Sequence, residues 1–419
     1  MSGCAIWQDR GARLGNGQHL TRPEERAAHV ARSSYGRLLA ILASRSGDIA
    51  LAEDALAEAF RLALEYWPRD GVPQNPEGWL MTTAKNRKLD VLRRNARSPV
   101  AAVDELPDVV DESADREAIP DKRLQLMFVC AHPAIDAAVH TPLMLQVVLG
   151  FEAADIGRSF LMSPAALQQR LVRAKRKIKE ARISFALPDQ SVMPERVNAV
   201  LEAIYGAYAL SWLADDDARD MTSEAQFLSQ LLTRLLPQEP EVLGLEALLC
   251  FIQSRKTARG AVGRYVPLHE QDASLWIAAL VSRAETCLLA ASRLQRLGRY
   301  QLEAAIQHAH VRRIRDGVET WPHLLALAEG LCRLYPTAGA HAERISALAH
   351  VKGAQVALAD LENFQSSLEL SFQPLDALRS HLLAKLGEKE AARAAYDKAI
   401  SVTVEPRVRT WMQQQRDLL

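Results

Sequence analysis

Ser163-Pro164-Ala165-Ala166-Leu167-Gln168-Gln169-Arg170-Leu171-Val172-Arg173-Ala174-Lys175-Arg176-Lys177-Ile178 is a helix start that runs straight into a basic helix. Ser163 suits the cap, and Pro164 suits the first helical position, where a missing N–H is no loss. Leu167, Leu171, Ala174 and Ile178 recur at three- and four-residue spacing and mark a packing face. Gln168, Gln169, Arg170, Arg173, Arg176 and Lys177 fall on the other faces. Upstream, Ala154-Asp155-Ile156-Gly157-Arg158-Ser159-Phe160 reads as a shorter helix ending near Leu161-Met162. The two give helix, tight turn, helix, the layout that places a second helix in the DNA major groove. Taken alone, the segment also fits an ordinary solvated amphipathic helix.

The charges around it are unevenly spread. Lys85, Arg87, Lys88, Arg93, Arg94 and Arg97 crowd one stretch with Asp90 against them. Arg170, Arg173, Lys175, Arg176, Lys177, Lys179 and Arg182 crowd a second, with Glu180 against them. Between the two lie Asp104, Glu105, Asp108, Asp111, Glu112, Asp115, Glu117 and Asp121, with Pro107 and Pro120 and one base, Arg116. Basic stripes on helices are the footprint of phosphate binding, and a charged segment punctuated by proline reads as a linker. A net charge of zero hides this pattern.

At 419 residues the chain exceeds the size at which single cores stop growing, so two or three domains are expected. With 48% hydrophobic and 24% charged residues it has the composition of a soluble globular protein. It has no apolar run of membrane-spanning length and no secretory leader, so the expected location is the cytoplasm. Apolar residues recur at helical spacing throughout, and no β-branched alternating run appears, so the fold class is all-α.

Residues 1–22 form an N-terminal extension, 23–98 a first helical unit, 99–120 the acidic linker and 121–187 the helix-turn-helix unit. In the first unit Asp48 to Trp67 reads as a helix whose packing face is Leu51, Ala55, Ala59, Leu62 and Tyr66. Trp67 to Gln74 reads as a turn-rich loop, and Asn75-Pro76 as the start of the next helix. Residues 188–419 form a larger helical domain. In it Leu386 to Ile400 fits half of a tetratricopeptide repeat, with Gly387 at the turn and Ala392, Tyr396 and Ala399 on the packing face; Leu297 to Ile306 is a weaker echo. Other Ala-rich hairpins share this pattern.

No phosphate-cradling, zinc-protease, nucleophile-elbow or dinucleotide motif is present, and Gly11, Gly15 and Gly17 have the wrong spacing for a phosphate loop. His269-Glu270-Gln271-Asp272 reads as a loop or cap. Cys4, Cys130, Cys250, Cys287 and Cys332 are scattered, which reads as reduced thiols. Cys130 and His132 lack a second ligand pair at a recognisable spacing, so neither metal nor cofactor is expected, and no enzyme is read.

Together these segments resemble the extracytoplasmic-function sigma factors of the sigma-70 superfamily, in the subgroup with a tetratricopeptide-like helical extension. Ala52-Glu53-Asp54-Ala55-Leu56-Ala57-Glu58-Ala59-Phe60 is similar to the polymerase-binding helix of sigma domain 2. Trp67 to Leu80, followed by Thr82 to Arg94, is similar to its −10 reading and melting region, and the helix-turn-helix is similar to the −35 reader of sigma domain 4. Leu236 to Leu245 and Glu270 to Trp276 are similar to the subgroup's extension. The chain departs from the family in having Ile204-Tyr205-Gly206-Ala207-Tyr208 for Phe-Asn-Glu-Gly-Tyr, and Cys130-Ala131-His132-Pro133 for Cys-Cys-His-Pro.

The resemblance implies binding to core RNA polymerase through Asp48, Glu53, Asp54, Glu58 and Phe60. It implies −10 contacts from Trp79, Thr82, Thr83, Lys85, Asn86, Arg87, Lys88, Arg93 and Arg94. It implies −35 contacts from Ser163, Ala165, Gln168, Gln169, Arg170, Arg173, Arg176 and Lys177, and a C-terminal domain that regulates or docks a protein or peptide. A stand-alone helix-turn-helix adaptor is the competing reading.

Overall fold

The computed structural model of the chain describes residues 23–96, 121–160, 162–189, 191–212, 221–260, 264–367 and 372–419. The extension 1–22, with Cys4, Gly11, Gly15 and Gly17, and the acidic linker 99–120 lie outside them. All regular structure among the described residues is helical. The chain divides into two compact units, Met1–Leu210 and Ser211–Leu419.

The first unit begins with α1 (Pro23–Ser46), α2 (Ile49–Asp70) and α3 (Pro76–Ala96), which pack on one another. Leu38, Leu39, Leu42, Ile49, Leu56, Trp67 and Leu80 fill their core. Asp48 caps α2, its carboxylate accepting from the Leu51 N–H at 3.1 Å. The packing face expected from Leu51 and Tyr66 is displaced, with Leu51 half-buried and Tyr66 44% exposed. Ala52, Leu56, Phe60, Ala63 and Trp67 are buried beside Ala55, Ala59 and Leu62. The physical reason is that α2 is covered on two sides, by α1 and by α3, which widens its apolar arc beyond a single stripe. The helix also runs three residues past Trp67, through Pro68, where a loop was expected; it ends at Gly71, whose φ of +86° suits glycine and whose N–H reaches the Trp67 carbonyl at 3.1 Å.

Next come α4 (Arg123–Cys130), α5 (Ala137–Val147), α6 (Ala153–Ser159) and α7 (Pro164–Glu180). Leu126, Met127, Phe128, Leu143, Met144 and Leu145 are fully buried there. The helix α8 (Met193–Trp212) begins in this unit: the Thr141 hydroxyl donates to Glu202 at 3.3 Å, and Gly206 lies against Leu145. The boundary drawn at residue 188 from sequence therefore falls ahead of a helix that packs with the first unit.

The second unit contains α9 (Thr222–Leu235), α10 (Pro240–Ser254), α11 (Lys256–Arg259), α12 (Ala278–Arg293), α13 (Arg299–Arg315), α14 (Trp321–Leu334), α15 (Ala338–Val351), α16 (Ala354–Ser366), α17 (Gln373–Lys385), α18 (Lys389–Val402) and α19 (Pro406–Asp417). From α12 onward each helix packs on the next, around a core that includes Leu302, Leu324, Leu361, Leu375 and Leu382. The hairpin of α17 and α18 turns at Gly387, with φ +80°, and buries Ala392, Tyr396 and Ala399.

Glu241 of α10 has a structural task in this unit. Its carboxylate accepts from the N–H groups of Tyr300 at 2.9 Å and Gln301 at 3.2 Å, so it caps α13 across the fold. Gly244 permits the approach, since a Cβ there would lie 2.7 Å from the Gln301 nitrogen. Glu246, fully buried one turn on, pairs with Arg283 at 2.8 Å. Burial pushes the neighbouring thiols of Cys250 and Cys287 up to about 12 and about 11, which makes both inert at neutral pH.

Candidate nucleic-acid interface

Two helices carry the basic stretches, and each is started by its own local chemistry. At α7 the Ser163 hydroxyl accepts from the Ala166 N–H at 3.3 Å, with Pro164 in the first turn. Gly157 of α6 faces the turn closely: a Cβ there would lie 2.7 Å from the Met162 carbonyl oxygen, whose own N–H bonds back to the Gly157 carbonyl at 2.8 Å. This close approach fixes the tight turn between α6 and α7. Leu167, Leu171, Ala174 and Ile178 are buried, as their spacing indicated.

Ser163, Ala165, Gln169, Arg170, Arg173, Arg176 and Lys177 are exposed. Gln168 is half-buried, and its side-chain oxygen accepts from Gln146 of α5 at 3.4 Å. Arg176 is tied to Glu180 at 2.6 Å, whereas Arg173 makes a long bond, 3.4 Å from Nε to the Gln169 carbonyl. Arg170, Arg173 and Lys177 share a surface groove of about 380 Å³ with Ile135, Asp136 and Val139. The Arg173 guanidinium and Lys177 ammonium there suit phosphate oxygens, while Arg170 and the amides near the helix start suit base edges.

On α3, Asn75 accepts from the Gly78 N–H at 2.9 Å and sets the helix start. Thr82 and Asn86 are exposed; Trp79, Thr83, Lys85 and Arg87 are half-buried. Burial holds the Lys85 ammonium below its usual range, with Arg45 adding to the effect. Lys88, Arg93 and Arg94 belong to α3 by their backbone, but their side chains lie outside the described residues. Trp79 meets Trp67 edge-on, ring centroids 5.6 Å apart, at one wall of a cleft of about 330 Å³ lined by Tyr66, Trp67, Asp70, Gly71, Val72, Pro73 and Trp79. The Trp67 indole N–H is buried there and has no partner among the described residues. Such a cleft offers the exposed ring of Tyr66 and the half-buried ring of Trp79, and aromatic faces suit an unstacked base.

The acids of α2 are less open than their sequence suggests. Of the five residues expected to face a partner, Phe60 is 5% exposed and packs in the core. Glu58 is tied to Arg61 at 2.8 Å, a bond that holds its carboxyl below the usual range, and it lies 3.8 Å from Arg87. Glu53 receives Lys175 of α7 at 2.6 Å, and Asp48 receives Lys179 of α7 at 2.8 Å. Burial raises the Glu53 carboxyl above its usual range, and the Lys175 ammonium offsets part of that rise. Asp54 remains exposed.

Sequence reasoning placed Lys175 and Lys179 in a general basic stripe and missed this pairing. A signal was present: Lys175 stands four residues after Leu171 and three before Ile178, which puts it on the buried face. The walls contributed by Tyr66, Val72 and Pro73 to the tryptophan cleft were also missed, because they depend on where α2 ends.

Residues 30–98, which span most of α1 to α3, match Sigma-70 region 2. Residues 196–292 match a family of unknown function, DUF6596. An uncharacterized protein of Rhizobium meliloti (strain 1021) is 36% identical over 381 residues, covering 88% of this chain and 90% of the relative. No solved structure matches the chain.

Proposed function

We propose that this chain, which belongs to the sigma-70 family, is a sigma factor of the extracytoplasmic-function type that brings core RNA polymerase to promoters and helps open them. The observation that carries this reading is the region 2 match over a helix, α3, whose open side offers Thr82, Lys85, Asn86 and Arg87 beside a tryptophan-lined cleft. In this reading the basic groups hold phosphates, while Trp79, Thr82, Thr83 and Asn86 meet bases freed by strand opening. A base held in the cleft stabilises the melted strand by the stacking it lost from the duplex.

The helix-turn-helix supplies the second contact, on duplex DNA. Gln169 and Arg170 stand where the start of a recognition helix meets base edges, with Arg173, Arg176 and Lys177 on phosphates. Ser163 and Ala165 border the same end, and Gln168 is partly held by Gln146. The protein directs another enzyme's chemistry and works in the cytoplasm. Its second unit, read as a tetratricopeptide-like hairpin array, docks a protein or peptide regulator.

Transcription by core polymerase from a promoter library, with and without the chain, tests the reading. New start sites that depend on the chain support it. Their absence, both with the full chain and with a chain cut after Trp212, together with binding to bare duplex operators, would replace it with a stand-alone helix-turn-helix adaptor. Activity appearing after the cut would make the second unit inhibitory.

A further inference from the structure

We infer that the structure is a self-latched form of the first unit, in which α7 of the helix-turn-helix is locked onto the acidic face of α2 by Lys175 and Lys179. Lys175 Nζ lies 2.6 and 2.8 Å from the two carboxylate oxygens of Glu53, a residue 122 positions away in sequence. The lysine side chain is 8% exposed and that of Glu53 23%. Lys179 reaches Asp48 at 2.8 Å, and Asp48 is at the same time the cap of α2. Cys130, at the end of α4, is buried close enough to feel both Lys175 and Glu53.

A second seam fixes the same arrangement. Gly36 of α1 abuts the Val148 carbonyl so closely that a Cβ would overlap it, so α1 meets the end of α5 only because residue 36 is glycine.

Lysine is among the residues least often buried, and it tolerates burial when paired. Lys175 sits in register with Leu171 and Ile178, where an isolated helix-turn-helix would want an apolar side chain. Its chemistry makes sense when α2 supplies a carboxylate. The latch therefore joins the two DNA-directed modules and covers two of the acids, Asp48 and Glu53, that the sigma reading gives to polymerase.

Resting on that reading, the consequence is competition. A polymerase surface that brings its own cations to Glu53 and Asp48 displaces α7, and the closed population lowers the apparent affinity by the fraction it occupies. Release of α7 also frees Lys175 and Lys179 for phosphate. Promoter binding by α3 and α7 at separate elements then follows from polymerase binding.

Hydrogen exchange on the full chain tests the latch without reference to polymerase. Lys175→Glu sets two carboxylates against each other and is expected to speed exchange by about tenfold or more over residues 48–58 and 171–180, with the second unit unchanged. The double swap Glu53→Lys with Lys175→Glu restores slow exchange. If Lys175→Glu unfolds the first unit altogether, Lys179→Glu decides, since that side chain is 64% exposed and its loss spares the core. Faster exchange over the same two stretches supports the latch, and unchanged exchange overturns it.

Polymerase affinity is then measured separately. Tighter binding by Lys175→Glu, which leaves Glu53 intact and uncovered, supports the competition, and unchanged or weaker binding overturns it. A chain whose exchange responds as expected but which never binds polymerase keeps the latch and loses the sigma reading.

Discussion

Arg173 and Arg176 stand three residues apart on α7, both exposed, and the structure gives them different freedom. Arg176 Nε is held by Glu180 at 2.6 Å, while Arg173 has the weak 3.4 Å contact to a backbone carbonyl and lines the basic groove. Each phosphate neutralised contributes about −0.9 to the slope of log affinity against log salt, so one contact accounts for a factor of about 3.5 between about 50 and about 200 mM salt. Arg173→Ala should therefore flatten the slope by about one. Arg176→Ala should flatten it by less, because Arg176 must first leave Glu180, and Glu180→Ala should steepen the parent slope by freeing it. Fluorescence anisotropy on a random-sequence duplex reads all three, since phosphate contacts do not depend on sequence. Both arginines are surface residues, so the unfolding free energy should stay within about 0.5 kcal/mol of the parent's, which marks an intact fold. An unchanged slope for Arg173→Ala, with the fold intact, refutes its placement on phosphate. An Arg176→Ala effect as large as that of Arg173→Ala refutes the argument from Glu180.

The tryptophan cleft predicts that Trp79→Ala weakens binding to single-stranded DNA by about 1–3 kcal/mol while duplex binding holds; equal losses on both would return Trp79 to a packing role. Glu241→Ala removes an acceptor from two N–H groups of α13 and should cost the second unit about 2–3 kcal/mol in chemical denaturation, with Glu241→Gln recovering part of it. No loss would mean that water caps α13 equally well. Burial holds the imidazoles of His308, His341, His350 and His381 below their usual range, His350 to about 4. These groups stay neutral in the fold while the unfolded chain takes up protons first. The stability of the second unit should thus be full above about 6.5 and fall as pH drops toward about 4. A denaturation midpoint that holds or rises between pH of about 7 and about 5 contradicts this sign.

Much of the site was legible because helical periodicity is a local signal. The Ser163 cap, the Leu167 to Ile178 face and the Asn75 start of α3 could all be read from a few neighbouring residues, and each stands where expected. What escaped was set by contacts between distant segments. The arc of α2 shifted from Tyr66 to Trp67 because α1 and α3 both cover it, a fact carried by no window of α2 alone. Phe60 was given to polymerase by the resemblance alone, yet it is core for the same reason. Glu241 stood in a stretch noticed for its resemblance, and its task became clear when α13 was found starting at its carboxylate. The pairing of Glu53 with Lys175 was hidden by the length of chain between them.

That same length sets a clock. A ribosome adding about 5–20 residues per second needs roughly 6–25 s to travel from Glu53 to Lys175. For the later part of that interval α2 is complete and Lys175 does not yet exist, so every newly made copy passes through a stage in which Asp48 and Glu53 are bare. Whatever meets those acids first during synthesis does so without a rival. The finished chain offers the same surface only after its own lysines have let go.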